Sequence, residues 1–258
     1  MGRSFGLSAN TIKYYAVVAM TIDHIAWVFI PTQSALGVVT HTIGRTVMPI
    51  MCFFIAEGFY HTQSVKKYIL RMAAFSLISW VPFYFYIYRA LPFVRTDNGS
   101  IYIIKSFYYT QSILFTLTIC LIMLAVVHGR MNIFLKIMLT SALFLLTYLG
   151  DWSFTAPAWV LAFDRFRGDF KKQAVSAVLI GLILSPLVLI IVYGVNIRNN
   201  LFQLATPLAL LPLYFYNGRR GDEGSGRTMV FVNKWGFYVY YILHMPIITL
   251  IYKIYRGG

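Results

Sequence analysis

Acidic residues are scarce in this chain: its 258 residues carry 8 Asp and Glu against 22 Lys and Arg, a formal net charge of +14. Charge of either sign is thin, at 12% of positions, where a soluble domain carries about 25%. Hydrophobic residues make up 59% of the chain and its mean hydropathy is +0.69, which excludes an ordinary soluble domain. The basic excess does not point to nucleic acid. Lys and Arg fall in short stretches between apolar runs, the distribution of a membrane protein with basic cytoplasmic loops. Cysteine is nearly absent, and Cys52 and Cys120 both sit inside apolar runs. They read as small buried hydrophobes rather than a disulfide or metal pair. No CxxC or HExxH spacing occurs, so no metal is expected. Gly/Ser linkers, low-complexity runs and internal repeats are also missing, and residues 1–258 read as one domain.

What is present is a series of nine apolar segments, at 12–30, 43–60, 67–88, 111–128, 131–149, 153–164, 173–194, 201–216 and 236–254. A helix needs about 20 residues to cross a bilayer, so the sixth segment, which contains Pro157, is either re-entrant or extended into its flanks. The fold expected is an all-α polytopic transmembrane helix bundle surrounded by lipid. Tyr and Trp gather at segment ends, as at Tyr14-Tyr15, Trp80, Tyr108-Tyr109 and Trp235, where an interfacial belt would place them. With nine crossings and the N-terminus inside, Lys66, Lys67, Arg71, Arg165, Arg167, Lys171, Lys172, Arg219 and Arg220 fall on the cytoplasmic side, whereas Arg89, Arg95, Lys105 and Arg198 fall outside. That bias sets the orientation. The first run is interrupted by Asp23-His24 and lacks a small-residue cleavage site, so it is not expected to be a cleaved signal.

Ionisable groups inside apolar spans are costly and face a cavity or a partner. Asp23 and His24 interrupt the first span, and the second carries Arg45 at one end and Glu57 and His61 at the other. Glu57 and His61, four apart, share a helix face. Asp23 and His24 point about 100° apart on a helix, so they do not pair linearly with each other. Arg45 is the natural counter-charge for Asp23, which leaves His24 for chemistry. The alternative is a polar clamp between the two spans, with Arg45 snorkelling to the outer interface. The last span places Tyr238, Tyr241 and His244 three apart, ahead of Pro246. They either close a cavity or make interhelical contacts. His41 and His128 lie at predicted span ends and receive no role.

Ile22-Asp23-His24-Ile25, Gly44-Arg45 with Pro49, and Glu57-Gly58-Phe59 with His61-Thr62 together resemble the TraX family of polytopic bacterial membrane proteins. Its namesake acetylates the N-terminus of conjugative pilin. The resemblance continues at Ser112-Ile113-Leu114-Phe115, Asn217-Gly218-Arg219 and Tyr241 to His244, and so covers nearly the whole chain. Ser112 stands where family members read Asn.

The resemblance implies a multi-pass acyltransferase of the bacterial cytoplasmic (inner) membrane. It would move an acetyl group from cytoplasmic acetyl-CoA to an acceptor amine or hydroxyl on a protein or peptide, a glycan or a lipid. In that chemistry His24 would take the acceptor's proton or briefly carry the acyl group, Asp23 would pair with Arg45, and Arg45 would stabilise the tetrahedral oxyanion. Glu57, His61, Lys67 and Arg71 would receive the acyl-CoA, whose phosphates suit a basic rim, with Tyr241 and His244 closing the site. Each lysine taken singly is better explained as a topology signal, an explanation that fits Arg71, inside the third span, least. A proton-coupled permease using Asp23, His24 and Glu57 as a relay is the alternative function, and a non-catalytic scaffold of a pilus or secretion machinery is a third.

Overall fold

A computed structural model describes residues 6–95 and 101–257. In chain order the helices are α1 (Ala9–Phe29), α2 (Ala35–Arg45), α3 (Val47–His61), α4 (Val65–Tyr88), a short α5 (Lys105–Tyr108), α6 (Ile113–His128), α7 (Ile133–Leu146), α8 (Thr155–Arg165), α9 (Phe170–Leu179), α10 (Ser185–Tyr193), a 3₁₀ segment over Leu201–Ala209, α11 (Leu210–Tyr214) and α12 (Arg227–Arg256). All nine apolar segments lie on helices. Among the described residues four helices have the length and apolarity to cross a bilayer: Ala35–His61, Val65–Tyr88, Phe170–Tyr193 and Arg227–Arg256. The expectation of a helical membrane protein therefore holds. The second span starts at Ala35 rather than 43, which moves His41 from a span end into a helix interior.

The chain forms two compact units, Met1–Glu57 with Ala158–Val239 and Gly58–Pro157 with Tyr240–Gly258. In the first, α1 presents Ile12, Ala16, Ala19, Asp23 and Ala26 as its buried face, mostly small residues that let α2 approach closely. Pro49 has no N–H to give to the carbonyl of Arg45, four residues back. The helix accordingly breaks at Thr46, whose N–H bonds Ile43 O at 3.2 Å instead. A second proline, Pro186, follows a π turn at Ile180–Leu184 that joins α9 to α10. There Gly181 lies so close to Thr206 that a Cβ would stand 2.4 Å from its hydroxyl oxygen.

The family-like Asn217-Gly218-Arg219 ties down the start of α1. Asn217 donates its backbone N–H to the Leu7 carbonyl and its side-chain amide to the Gly6 carbonyl. The carbonyls of Arg219 and Arg220 accept from the N–H groups of Ala9 and Asn10 at 2.9 and 3.0 Å. Gly218 makes this turn at φ +79°, a conformation that favours glycine.

The second unit is built on α4, α6, α7 and the end of α12. It holds the one departure from an all-α fold among the described residues, a hairpin of β1 (Phe93–Arg95) and β2 (Ile101–Ile103). Ile104 N–H bonds Pro92 O. By the two-residue alternation of antiparallel pairs, Val94 and Tyr102 are the next bonded pair. The backbone groups of Phe93, Arg95, Ile101 and Ile103 then point outward to the two edges, and all six strand residues are exposed.

Candidate functional site

The Asp23 carboxylate is held from two sides inside the first unit. His41 Nδ1 lies 2.7 Å from Oδ1, and Arg45 donates to Oδ2 at 2.7 Å. The other arm of the Arg45 guanidinium donates to Gln203 Oε1 at 3.1 Å. All four side chains are buried, and His41 is 0% exposed. A carboxylate only accepts, so Nδ1 carries the hydrogen of the His41 contact. The sequence places this cluster through three local devices. Ser34 caps α2 through the N–H of Gly37 at 3.0 Å. His41 and Arg45, four apart, share one face of that helix. Gly44 leaves room for Asp23: a Cβ there would lie 2.3 Å from the carboxyl carbon.

Aromatic rings enclose the pair. The imidazole of His41 packs against Trp27, with centroids 4.3 Å apart, and against Phe202 at 4.9 Å. The Phe202 ring also lies 5.8 Å from the Arg45 guanidinium. Beside this turn is an apolar groove of about 310 Å³, lined by Tyr15, Thr42, Ile43, Thr46, Leu208 and Pro212, with the Tyr15 and Thr46 hydroxyls 3.0 Å apart. His24, half-buried, is close enough to act on the Asp23 charge.

The Asp23–Arg45 pair was legible in the sequence; His41 and Gln203 were not. Thr40 and Thr42 flank His41 and make it read as an interface position. Gln203 is 158 residues from its partner, and only its polarity within the eighth apolar segment marked it.

The remaining sequence candidates fall into separate clusters. Glu57 pairs with Arg167, at 2.9 Å from Nε and 3.4 Å from the terminal nitrogen. His61 ends α3, exposed. Arg71 lies over the Tyr68 ring at 5.1 Å, and Lys67 is exposed, its backbone N–H bonding Ser64. Tyr241 is buried, with its ring 5.8 Å from that of His244, and His244 Nδ1 lies 2.9 Å from the Tyr240 carbonyl. Among the described residues no three of His, Cys, Asp and Glu converge as metal ligands.

The family described as TraX protein matches residues 8–252, which spans every residue of this site. The chain belongs to the TraX family. This TraX chain is similar to a probable fimbrial assembly protein FimC, serogroup H1, of Dichelobacter nodosus, with 29% identity over 96% of the chain and 97% of the relative. It is also similar, at 37% identity over 22% of the chain and 21% of the relative, to an uncharacterised protein of Rickettsia prowazekii (strain Madrid E). No solved structure matches this TraX chain.

Proposed function

We propose that this protein is a membrane-embedded acyltransferase of the bacterial cytoplasmic membrane. It moves an acetyl group from cytoplasmic acetyl-CoA to an amine or hydroxyl acceptor at or beyond the outer face: a pilin or other peptide, a glycan or a lipid. The observation that carries the reading is the buried Asp23 carboxylate, fixed between an imidazole and a guanidinium of the Ala35–His61 span. A buried constellation of this kind is expensive unless it does chemistry. Family membership and the fimbrial assembly relative support a pilus-related acceptor.

In this reading the acceptor attacks the thioester carbonyl beside Asp23, His24, His41 and Arg45, and Arg45 faces the oxygen that becomes negative. Arg71, Lys67 and His61 are the candidates for the phosphates of the donor's nucleotide, and Tyr241 and His244 are further candidates for donor contact. Nine crossings with the N-terminus inside put the basic loops on the donor side.

The test uses the full chain in lipid nanodiscs with acetyl-labelled acetyl-CoA and three acceptors: a peptide with a free amino terminus, an oligosaccharide and phosphatidylethanolamine. Label moving to one of them, with stoichiometric release of CoA, supports the reading. The same carboxylate–imidazole pair would suit a proton-coupled permease, so proton-driven solute uptake into liposomes is measured alongside. Uptake without acyl turnover, or neither activity, overturns the enzyme.

A further inference from the structure

We infer that His41 is the group that takes the acceptor's proton, through Nε2, with Asp23 holding the ring in the tautomer that makes this possible. The inference rests on the acyltransferase reading and deepens it.

Three observations lead to it. The Asp23 contact fixes the hydrogen on Nδ1, so the lone pair of neutral His41 sits on Nε2. That nitrogen is buried and has no hydrogen-bond partner among the described residues. A buried polar atom without a partner costs about 1–3 kcal/mol; a purely structural histidine at 0% exposure would be expected to satisfy both nitrogens. Finally, Asp23 is itself doubly engaged, because Arg45 holds its second oxygen. The carboxylate therefore stays charged, ready to stabilise an imidazolium while remaining unprotonated itself.

The step balances without any further reactant. The acceptor nitrogen or oxygen forms a bond to the acetyl carbonyl carbon, and the carbonyl π pair moves to oxygen. The acceptor's proton passes to Nε2. When the tetrahedral adduct collapses, the C–S bond breaks with its electron pair on sulfur. The imidazolium then returns the proton to the thiolate, leaving CoA thiol and the acetylated acceptor.

Access follows from the element that covers the ring. Phe202 lies over His41 and belongs, with Gln203, to the 3₁₀ segment Leu201–Ala209. Nine residues of 3₁₀ structure is an unusually long run, and its hydrogen bonds are poorer than those of an α-helix. A shift of this segment exposes Nε2 and releases one arm of Arg45 from Gln203 in the same movement. The cover and the oxyanion group are thus mounted on one lever.

The experiment uses the full chain in nanodiscs, acetyl-CoA and whichever of the three acceptors wild type labels. His41→Gly is expected to lose about 10²–10⁴-fold in rate, and added imidazole to restore at least tenfold. Pyrazole, which has the same shape but is a far weaker base, restores nothing. Equal rescue by both makes His41 a space-filler, and a rate within threefold of wild type for His41→Gly removes it from proton transfer; either result overturns the inference. Should His41→Gly fail to insert, wild-type protein decides. Solid-state ¹⁵N spectra of the imidazole correlated with the Asp23 carboxyl carbon should show a protonated Nδ1 and a bare Nε2 at neutral pH. A protonated Nε2 overturns the inference. If wild type itself transfers no acetyl group, the acyltransferase reading fails first, and the two failures are distinguished.

Discussion

At Gly44 the absence of one carbon decides where Asp23 rests. The alanine methyl would fall 2.3 Å from the Asp23 carboxyl carbon, so Gly44→Ala forces either the helices or the carboxylate to move. The expected cost is about 1–3 kcal/mol, read as a lower midpoint in thermal unfolding of the detergent-solubilised protein; an unchanged midpoint would mean that Asp23 has room elsewhere. Asp23 is also the counter-charge that keeps Arg45 inside. Asp23→Asn leaves a buried cation uncompensated, at about 3–5 kcal/mol. A second change, Arg45→Gln, should recover part of the folded yield but not the acyl transfer. No recovery would show that the two residues are not energetically coupled. At this scale the sequence was informative wherever a charge interrupted an apolar run, as Asp23 and Arg45 do. It was silent at His41, whose burial is supplied by Trp27 and Phe202, residues that local hydropathy cannot connect to it.

Among whole elements, the second unit shows how polar side chains fasten helices where no water competes. Ser79 donates to Ser76 O at 2.9 Å, so the 2.7 Å contact with Ser112 must run from the Ser112 hydroxyl to Ser79. The Ser79–Ser112 contact thereby links α4 to the start of α6. It explains why Ser112 does not cap its own helix and why a serine serves at this position. The sequence marked Ser112 but not its partner Ser79 on α4. Ser79→Ala takes the acceptor away from the buried Ser112 hydroxyl and should cost about 1–3 kcal/mol, read as a lower thermal midpoint; an unchanged midpoint would mean that the pair fastens nothing. Helix entry is handled differently at α9, where exposed Asp169 accepts from the N–H of Lys172 at 3.1 Å. That bond and the Lys172 ammonium hold its carboxyl below the usual carboxylate range. Its contribution is therefore present above the ordinary aspartate pKa and fades as pH falls through the depressed one.

For the molecule as a whole, the helical, membrane-borne character was readable because apolar runs of bilayer length have few other uses. The division into two units was not, because the chain passes between them within helices and leaves no linker composition to read. Orientation is a matter for labelling. Cys52 and Cys120 are buried, so introduced thiols report alone. Asp151, exposed, is the position to use, since its neighbour Gly150 has Thr116 where a Cβ would go. With the N-terminus inside, Asp151→Cys reacts with an impermeant maleimide in intact cells and Arg219→Cys reacts only after lysis. The opposite pattern inverts the topology. The hairpin went unread, because strands of three residues fall below any periodicity signal.

That small hairpin also fixes a depth. Its outward-facing amide and carbonyl groups at Phe93, Arg95, Ile101 and Ile103 have no strand to pair with, and hydrocarbon offers such groups nothing. However greasy its side chains, the ribbon has to ride where water reaches it, floating at the waterline while its aromatic and aliphatic groups dip below. A nitroxide at Tyr102 should consequently be relaxed more strongly by a water-soluble chromium complex than by oxygen dissolved in the lipid, and one at Leu77, on the exposed face of α4, should show the reverse.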